Sequence, residues 1–343
     1  METQPLISIA ITTFNRIDFL KDLIKCLLTQ DSDHIEILIG NDYTKHTLKH
    51  TDLELPVDFK NVKIFNHPEN LGEYENLIYL FKKSTGKYFT WQFDDDFYSF
   101  DYLSKMKSSI EKYNPDCVYC NFGFLYGKER LVNKNNNTHQ IKEYTGKSFI
   151  VDYCNRKVNT MGLTGMYKKT FIEDIGFLPL ATEGKYALYS EYLLLINSVK
   201  LNSIIYHEEK LIFNRIHSGS FSFESSDSVY FYNAGKGFLK LANDILKNKN
   251  KNLKKKVIKF FLISVIKTNF TKSNFKDMKK AYNSSILNLY QTKDLTTKFE
   301  RLVIFLKFPL YALKSILYPK KYFSYFHKIK NNSFVKNFIQ PNF

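Results

Sequence analysis

The sequence has few cysteines and no basic leader. Four cysteines in 343 residues cannot form the dense disulfide framework of small secreted proteins. The first residues, METQPLISIA, place an acid and a proline ahead of a short apolar run, with no basic segment before it. We therefore expect a reducing compartment, the cytoplasm, and no export through a signal peptide.

Several motifs of nucleotide and redox enzymes are also missing. No G-x-G-x-x-G follows the first predicted strand and no G-x-x-x-x-G-K-[ST] occurs, so the usual phosphate-binding glycine loops are absent. No stretch carries a convincing nucleophilic triad. Cys117 and Cys120 form a C-x-x-C, but residues three apart in a strand face opposite sides, which argues against a redox or zinc pair.

Acidic residues are scarce in the last third of the chain. Residues 1–230 contain 26 Lys and Arg against 30 Asp and Glu, whereas residues 231–343 contain 24 against 4. The net charge of +16 therefore arises from the C-terminal third. This shift in composition predicts a domain over residues 1–226, followed by a basic helical region over residues 227–343.

The first part of the chain alternates strand-like and helix-like segments. Apolar runs predict strands at Leu6–Thr12, Ile35–Asn41, Val62–Asn66, Tyr88–Phe93 and Cys117–Phe122, and apolar residues recur at helical spacing between them. This alternation predicts an α/β fold with a mainly parallel sheet and helices on both faces. Ligands of such sheets bind beyond the carboxyl ends of the strands.

Three acidic residues, Asp94, Asp95 and Asp96, directly follow the fourth predicted strand. Adjacent carboxylates repel one another, and hard oxygen ligands of this kind suit Mg²⁺ or Mn²⁺ holding a diphosphate. Alternation along an extended backbone would put Asp94 and Asp96 on one side and Asp95 on the other. The alternative is an acidic turn that caps the helix after Ser99.

At this point the sequence resembles the family 2 glycosyltransferases, which have the GT-A fold. The resemblance runs from about residue 7 to 222 and rests on the order and spacing of SIAITTFNR, IGND, NLGEYEN and GKYFTWQFDDD. It implies that Thr13, Asn15 and Arg16 contact the nucleotide. It also implies that Asp42 meets the base of the donor.

Within the DxD-type motif, the resemblance implies that Asp94 is the ribose-side acid and Asp96 a metal ligand. The segment LYSEYLLL (188–195) resembles the helix that bears the general base, which makes Glu191 the candidate base, with Glu183 as the fallback. The alternative for Glu191 is an ordinary surface glutamate. A carboxylate in a partly apolar site can have a pKa high enough to accept a proton from a hydroxyl.

The segment FNRIHSGSFS (213–222) resembles the family's Arg-x-His followed by serines, which closes over the diphosphate. Arg215 would supply fixed positive charge, and His217 could bind metal or donate to phosphate. The alternative for a lone histidine in a loop is simple solvation.

The resemblance implies inverting transfer of a sugar from a nucleotide-diphosphate donor, with UDP-sugar expected, to a hydroxyl of a glycan or lipid-linked acceptor. Bacterial surface-polysaccharide assembly is the expected setting. Two alternatives remain open: a nucleotidyltransferase, and a membrane-surface binding protein with an inactive transferase domain. A nucleotidyltransferase would need a basic glycine-rich loop after its first strand, which TTFNRIDF lacks.

The basic C-terminal region interleaves lysines with apolar residues in segments 254–267 and 299–323. Neither segment is an uninterrupted apolar span of about 20 residues. An apolar face edged by lysines is typical of a helix lying on an anionic membrane surface, so we expect a peripheral protein on the inner face of the cell membrane. The alternative is a helical domain that packs on the catalytic core. The faces are too aliphatic to predict nucleic-acid binding.

Overall fold

A computed structural model describes residues 4–30, 32–57, 59–126, 140–176, 189–216, 228–273 and 277–315. Its internal contacts divide the chain into two compact units. One comprises Met1–Leu125, Asn133–Ala181 and Lys185–Arg215, and we call it the sheet unit. The other comprises Tyr126–Val132, Thr182–Gly184 and Ile216–Phe343, and we call it the helical unit. The domain boundary near residue 226 stays a prediction, because residues 217–227 lie outside the described ranges.

Within the described residues, the sheet unit contains a nine-stranded sheet, and the first four of its strands along the chain lie where strands were predicted. The strands are β1 (Ile7–Thr13), β2 (Ile35–Asn41), β3 (Val62–Asn66), β4 (Tyr88–Phe93), β5 (Phe97–Tyr98), β6 (Cys117–Tyr126), β7 (Ile141–Tyr144), β8 (Met166–Lys168) and β9 (Ile204–Ile216). Their order is β3-β2-β1-β4-β8-β6-β9-β5, and β7 pairs with β9. The pairs among β3, β2, β1 and β4 are parallel, while β8 adds to β4 antiparallel.

Helices cover this sheet. They are α1 (Ile17–Leu28), α2 (Glu73–Lys83), α3 (Tyr102–Tyr113), α4 (Gly146–Cys154), α5 (Lys169–Ile175) and α6 (Ser190–Asn197), with short 3₁₀ helices at His50–Leu53 and Ser198–Lys200. Four apolar residues at helical spacing in α1 are fully buried, as an amphipathic helix against a sheet requires: Leu20, Leu23, Ile24 and Leu27. The predicted α/β class is thus confirmed.

The parallel arrangement fixes where polar residues gather. β1 and β2 pair in register from Ile7 with Ile35 to Thr13 with Asn41, and β1 pairs with β4 from Ile7 with Tyr88 to Thr12 with Phe93. The residues that follow Thr13, Asn41 and Phe93 therefore emerge together at one edge of the sheet.

The described part of the helical unit contains α7 (Ser228–Ile245), α8 (Lys251–Thr271), α9 (Met278–Gln291) and α10 (Lys298–Phe305), and residues 308–315 form a further helical segment. The apolar face of α8 is buried in this unit, and Phe261 packs edge-to-face against Phe238 of α7. Within the described part of the chain, no helix is both long and apolar enough to cross a bilayer.

Candidate functional site

The acidic triplet lies at the carboxyl end of β4, and Asp94 faces the end of β1. Thr13, the last residue of β1, donates its hydroxyl to Asp94 Oδ2 at 2.7 Å. Arg16 lies just beyond β1, and its Nη1 donates to Asp94 Oδ1 at 3.0 Å. Because β1 and β4 are parallel neighbours, these three predicted donor-site residues are brought together by the sheet itself.

Asp96 is held from the other side, by the end of β9. Asn214 Nδ2 donates to both carboxylate oxygens of Asp96, at 3.0 and 3.1 Å. The backbone N–H of Arg215 donates to Asp96 Oδ1 at 3.0 Å. The two acids of the motif therefore have separate sets of partners, drawn from two different strands.

The predicted alternation of side chains across the triplet is wrong. Arg16 Nη1 contacts Asp95 Oδ2 at 3.2 Å as well as Asp94, so these two neighbours reach the same guanidinium. The reason is that the chain turns after β4, where the Asp96 N–H donates to the carbonyl of Phe93, and an extended backbone does not continue.

Burial makes the acidic triplet electrostatically costly. Asp94 and Asp96 are almost completely buried. Burial, followed by the neighbouring charge of Asp95, raises the pKa of Asp94 to about 6 although Arg16 opposes the shift. The same two causes raise the pKa of Asp96 well above its ordinary value, against hydrogen bonds from Arg215 and Asn214. A ligand that brings positive charge to this edge would offset that cost.

Arg215 is fixed beside the triplet. It is buried, its Nε donates to the carbonyl of Asp95 at 2.8 Å, and its guanidinium lies 5.1 Å from the centre of the Phe19 ring. The positive charge predicted for this position is therefore held in one place. His217, the predicted metal ligand or phosphate donor, lies outside the described residues, as does the fallback base Glu183.

Asp42 lies at the same edge, beyond β2. Its backbone N–H donates to the carbonyl of Thr13 at 3.0 Å, and its buried carboxylate accepts from the N–H of Leu71 at 3.3 Å. Burial raises the pKa of Asp42 against these hydrogen bonds. Asn15 has a left-handed backbone with φ 54°, which asparagine tolerates better than most residues, and it carries the chain from β1 into α1.

Asn76 of α2, which was not singled out from the sequence, supports the β2 end of the site. Its Nδ2 donates to the carbonyl of Gly40 at 2.9 Å, and its Oδ1 lies 3.1 Å from His67 Nε2. A Cβ added to Gly40 would lie 1.9 Å from Asn76 Oδ1, so position 40 needs glycine. The signal in the sequence was a polar residue, Asn76, at helical spacing with Leu80, and the structure buries both on the same helix.

Glu191 reaches the same end of the sheet through its backbone. The N–H of Trp91 in β4 donates to the carbonyl of Leu163 at 3.2 Å, so residues just before β8 lie beside the end of β4. A Cβ added to Gly162 would lie 2.0 Å from the Glu191 carbonyl oxygen. The first turn of α6 therefore packs directly against residues that adjoin the carboxyl end of β4.

The carboxyl group of Glu191 has the properties of a base. Burial raises its pKa to about 7, although part of the residue surface stays accessible. Its charge adds to the effect of burial in raising the pKa of Tyr153 and Tyr192. Tyr189, just before α6, has φ 63°, an uncommon conformation for a bulky residue and one that often marks a functional site.

The donor set of the triplet suits a hard divalent cation. Mg²⁺ is commonly held by one or two carboxylates with substrate phosphates supplying further oxygens, and two buried carboxylates meet at this edge. Across the described ranges, no three or more His, Cys, Asp and Glu side chains converge on a point that a metal could occupy. The carboxylates of Asp94 and Asp96 are hard oxygen ligands of the kind that Mg²⁺ and Mn²⁺ accept, so these residues fit the predicted cation in their chemistry.

Comparison with known sequences shows that the chain is similar to glycosyltransferases. The model of "Glycosyl transferase family 2" matches residues 8–175. A Campylobacter jejuni protein named GalNAc(5)-diNAcBac-PP-undecaprenol beta-1,3-glucosyltransferase is 25% identical over 294 residues, covering 82% of this chain and 88% of that protein. An uncharacterised glycosyltransferase of Rickettsia bellii is 32% identical over 131 residues, and the match spans 38% of this chain and 18% of the relative.

Solved structures agree on the fold. Staphylococcus aureus TarS, residues 1–349 in complex with UDP, superposes with a TM-score of 0.61 at 16% identity, covering 90% of this chain and 88% of that one. A second TarS structure gives a TM-score of 0.60 at 14% identity, covering 90% of this chain and 53% of that one.

Proposed function

We propose that this chain, which matches the model of glycosyl transferase family 2 over residues 8–175, is a transferase that moves a sugar, with inversion, from a UDP-sugar to a hydroxyl of a glycan or lipid-linked acceptor. The observation that carries the proposal is the acidic triplet after β4. Asp94 and Asp96 are buried there and held from opposite sides by Thr13 and Asn214.

On the donor side, we propose that Asp42 binds the nucleobase and that Asp94 binds the ribose. The carboxylate of Asp42 is buried, and its backbone N–H donates a hydrogen bond to the carbonyl of Thr13. Asp42 therefore has little freedom to move when a nucleobase binds. Asp94 is oriented by Thr13 and Arg16 and accepts hydrogen bonds on both oxygens. Asn15 contributes the backbone turn that brings Arg16 back over Asp94.

Positive charge at the diphosphate comes from Arg16 and Arg215. Arg16 is shared between Asp94 and Asp95, and Arg215 is held by the Asp95 carbonyl and the Phe19 ring. Fixed donors and charges of this kind stabilise the negative charge that develops on the leaving diphosphate without moving during the reaction. His217, two residues beyond Arg215, is assigned to the same task or to metal binding.

We assign a Mn²⁺ or Mg²⁺ ion to Asp96. When bound, such a cation offsets charge on the leaving diphosphate. Asn214 and the Arg215 N–H orient the Asp96 carboxylate, so this residue is presented in one position at the sheet edge.

Glu191 is the proposed general base. A carboxyl with a pKa of about 7 is deprotonated in half of the molecules near neutral pH and is still basic enough to take a proton from an acceptor hydroxyl. The contact between Gly162 and the Glu191 carbonyl holds α6 against the end of β4, where the anomeric carbon of the donor would lie.

For the acceptor we propose a glycan carried on a lipid diphosphate, with the enzyme peripheral on the cytoplasmic face of an anionic membrane. Two observations support this. The similar Campylobacter jejuni protein is named for a saccharide linked to diphosphoundecaprenol, and the last third of this chain carries 24 basic residues against 4 acidic ones.

The test is to incubate the purified full chain with a panel of nucleotide sugars, with Mn²⁺ or with a chelator, and to measure released nucleoside diphosphate with and without a short polyprenyl-diphosphate saccharide. We expect metal-dependent release from one UDP-sugar, accelerated by the acceptor. In a parallel incubation with a nucleoside triphosphate and a sugar 1-phosphate, release of pyrophosphate would favour a nucleotidyltransferase. No turnover with any donor, together with retained vesicle binding, would favour an inactive transferase domain acting as a binding protein.

A further inference from the structure

The end of the helical unit exposes a long apolar surface. Five side chains define it, and we call them the outer ridge: Phe299, Leu302, Leu306, Leu310 and Leu313. Their exposed fractions run from 48% for Leu310 to 73% for Phe299. Soluble proteins scatter single exposed apolar residues, but a contiguous set of large ones marks an interaction surface.

The five residues lie on one face of a nearly continuous helical path. The N–H of Leu306 donates to the carbonyl of Leu302, and that of Tyr311 donates to Lys307, so the path continues from α10 into residues 308–315. At 3.6 residues per turn, the five positions fall within about 80° of one another.

The opposite face of the same path is also apolar, and it is already occupied. Ile304 and Phe308 are buried, and the Phe308 ring packs 5.3 Å from Phe270 of α8 and 5.6 Å from Tyr282 of α9. The inner face therefore accounts for the stability of this part of the helical unit. The outer ridge adds nothing to that packing and needs another explanation.

The other basic apolar segment behaves differently. On α8, the apolar residues Val257, Phe261 and Val265 are fully buried, while Lys255 and Lys259 pair with Glu300. This helix is an internal packing element of the helical unit. The two lysine-rich segments of the sequence are thus distinct, and the exposed apolar ridge lies on the second.

Charge identifies the partner of the outer ridge. Between residues 293 and 315 there are five basic and two acidic residues, and one of the acids, Glu300, is already paired with two lysines. Lys307 and Lys314 are exposed and lie next to the ridge on the helix. Residues 316–343 add five lysines and no acidic residue.

We propose that the outer ridge is the surface by which the protein inserts into an anionic membrane, with the flanking lysines at headgroup level, an inference that rests on the proposed membrane location of the enzyme. The apolar side chains of the ridge would enter the acyl-chain region of one leaflet, and the lysines at its edge would lie among the anionic headgroups. A second copy of the chain fits less well, because a two-fold interface would bring the same lysines together.

The experiment compares full-length variants on vesicles of phosphatidylcholine with and without 30% phosphatidylglycerol, a composition of about the acidity that attracts basic helices. Leu306→Gln/Leu310→Gln should lower partitioning onto anionic vesicles by about tenfold or more, since two leucines lose their burial in lipid. The matched control is Ile286→Gln/Leu287→Gln, two exposed apolar residues of α9, which should change partitioning by less than about twofold.

Insertion is checked directly with Leu306→Trp and brominated lipids. The native Trp91 is buried in the sheet unit and should not be quenched, whereas the indole at position 306 should be. Equal losses in the two double variants, or vesicle binding without quenching, would overturn the proposal for the ridge. Loss of a dimer in the ridge variant would assign the surface to a second copy. Failure of the parent protein to bind any vesicle would instead refute the membrane location, and donor turnover in solution reports separately on the transferase.

Discussion

In folded proteins charged side chains are usually exposed and large apolar side chains are usually buried, and each unit of this protein departs from one half of that rule. The sheet unit buries charge, because Asp94 and Asp96 lie almost wholly inside it. The helical unit exposes apolar surface, because Leu306 and Phe299 are mostly open. Charged residues are rarely fully buried without partners, and large apolar patches are rarely left open.

Each departure costs stability in the isolated protein, and binding of the proposed ligand would offset that cost. The buried acids face the edge where parallel strands bind ligands, and the apolar ridge faces outward among lysines. Places where a fold contradicts local rules are where function is expected. Residues that face a ligand can therefore be recognised where the environment of the side chain is unfavourable in the free protein.

The largest effect is expected at the buried acids. Asp96→Asn should lower metal-dependent donor affinity by about 100-fold or more, because the amide removes the charge assigned to the cation. Isothermal titration with UDP-sugar and Mn²⁺ measures this. Glu54→Gln, which removes an exposed acid of the same unit, is the control and should bind normally. Unchanged affinity in Asp96→Asn would mean that the metal is held elsewhere.

Glu191→Gln should lower turnover by about 10² or more while leaving donor affinity intact, since it removes only the group assigned to the acceptor proton. In the parent protein, turnover should rise about tenfold per pH unit up to about pH 7 and then level, because the base acts deprotonated and its pKa is about 7. Near-normal turnover in the variant would move the role to another carboxylate, with Glu183 next.

The same variant should be more stable than the parent at high pH. The folded-state pKa of Glu191 is raised from 4.5 to about 7. The contribution of Glu191 to the unfolding free energy is therefore fully present below pH 4.5 and is lost as pH rises through 7. Since the variant cannot ionise there, its unfolding free energy at pH 8 should exceed that of the parent by about 1–2 kcal/mol. Urea unfolding at pH 5 and pH 8 measures the difference, and an equal value at both would contradict the raised pKa.

Gly162→Ala tests whether packing holds the base. The new methyl would lie 2.0 Å from the Glu191 carbonyl, so α6 must shift. Overpacking of this kind costs about 1–3 kcal/mol, and a displaced catalytic group is expected to lower turnover at least about tenfold. Steady-state kinetics at saturating donor separates the two effects, and an unchanged kcat would show that the contact does not position Glu191.

The smallest effect is expected in the helical unit, at a matched glycine. A Cβ on Gly237 of α7 meets no atom within 4 Å. Gly237→Ala should therefore raise the unfolding free energy by about 0.5–1 kcal/mol through helix propensity, with turnover unchanged. Thermal unfolding checks this, and a loss of stability comparable to that of Gly162→Ala would remove the contrast between the two units.

The parallel core was predictable from sequence because β1, β2 and β4 are buried along nearly their whole length and form apolar runs. The predicted bounds of β2, β3 and β4 match those of the structure. β9 was not predicted. Its sequence, IIYHEEKLIFNRI, interrupts the apolar pattern with charges such as Glu208, which is partly exposed and pairs with Lys142 of β7.

The candidate site was predictable in its residues more than in its contacts. Spacing along the sequence singled out Asp94 and Asp96, but it could not reveal that Asn214 holds Asp96, since these residues are 118 positions apart. The order of strands, which only the complete fold determines, brings them together. The predicted side-chain direction of Asp95 was wrong for a simpler reason, because the backbone turns there and is not extended.

The long separation between Asp96 and its partners also bears on how the protein is made. Asp96 emerges from the ribosome more than a hundred residues before Asn214 and Arg215, whose donors it needs. Until those residues are synthesised, the β1–β4 core can form with its acidic turn still in water, because burial of the turn needs the end of β9. The proposed nucleotide site, which includes Asp96, would therefore be completed late in translation, when nearly all of the sheet unit has been synthesised.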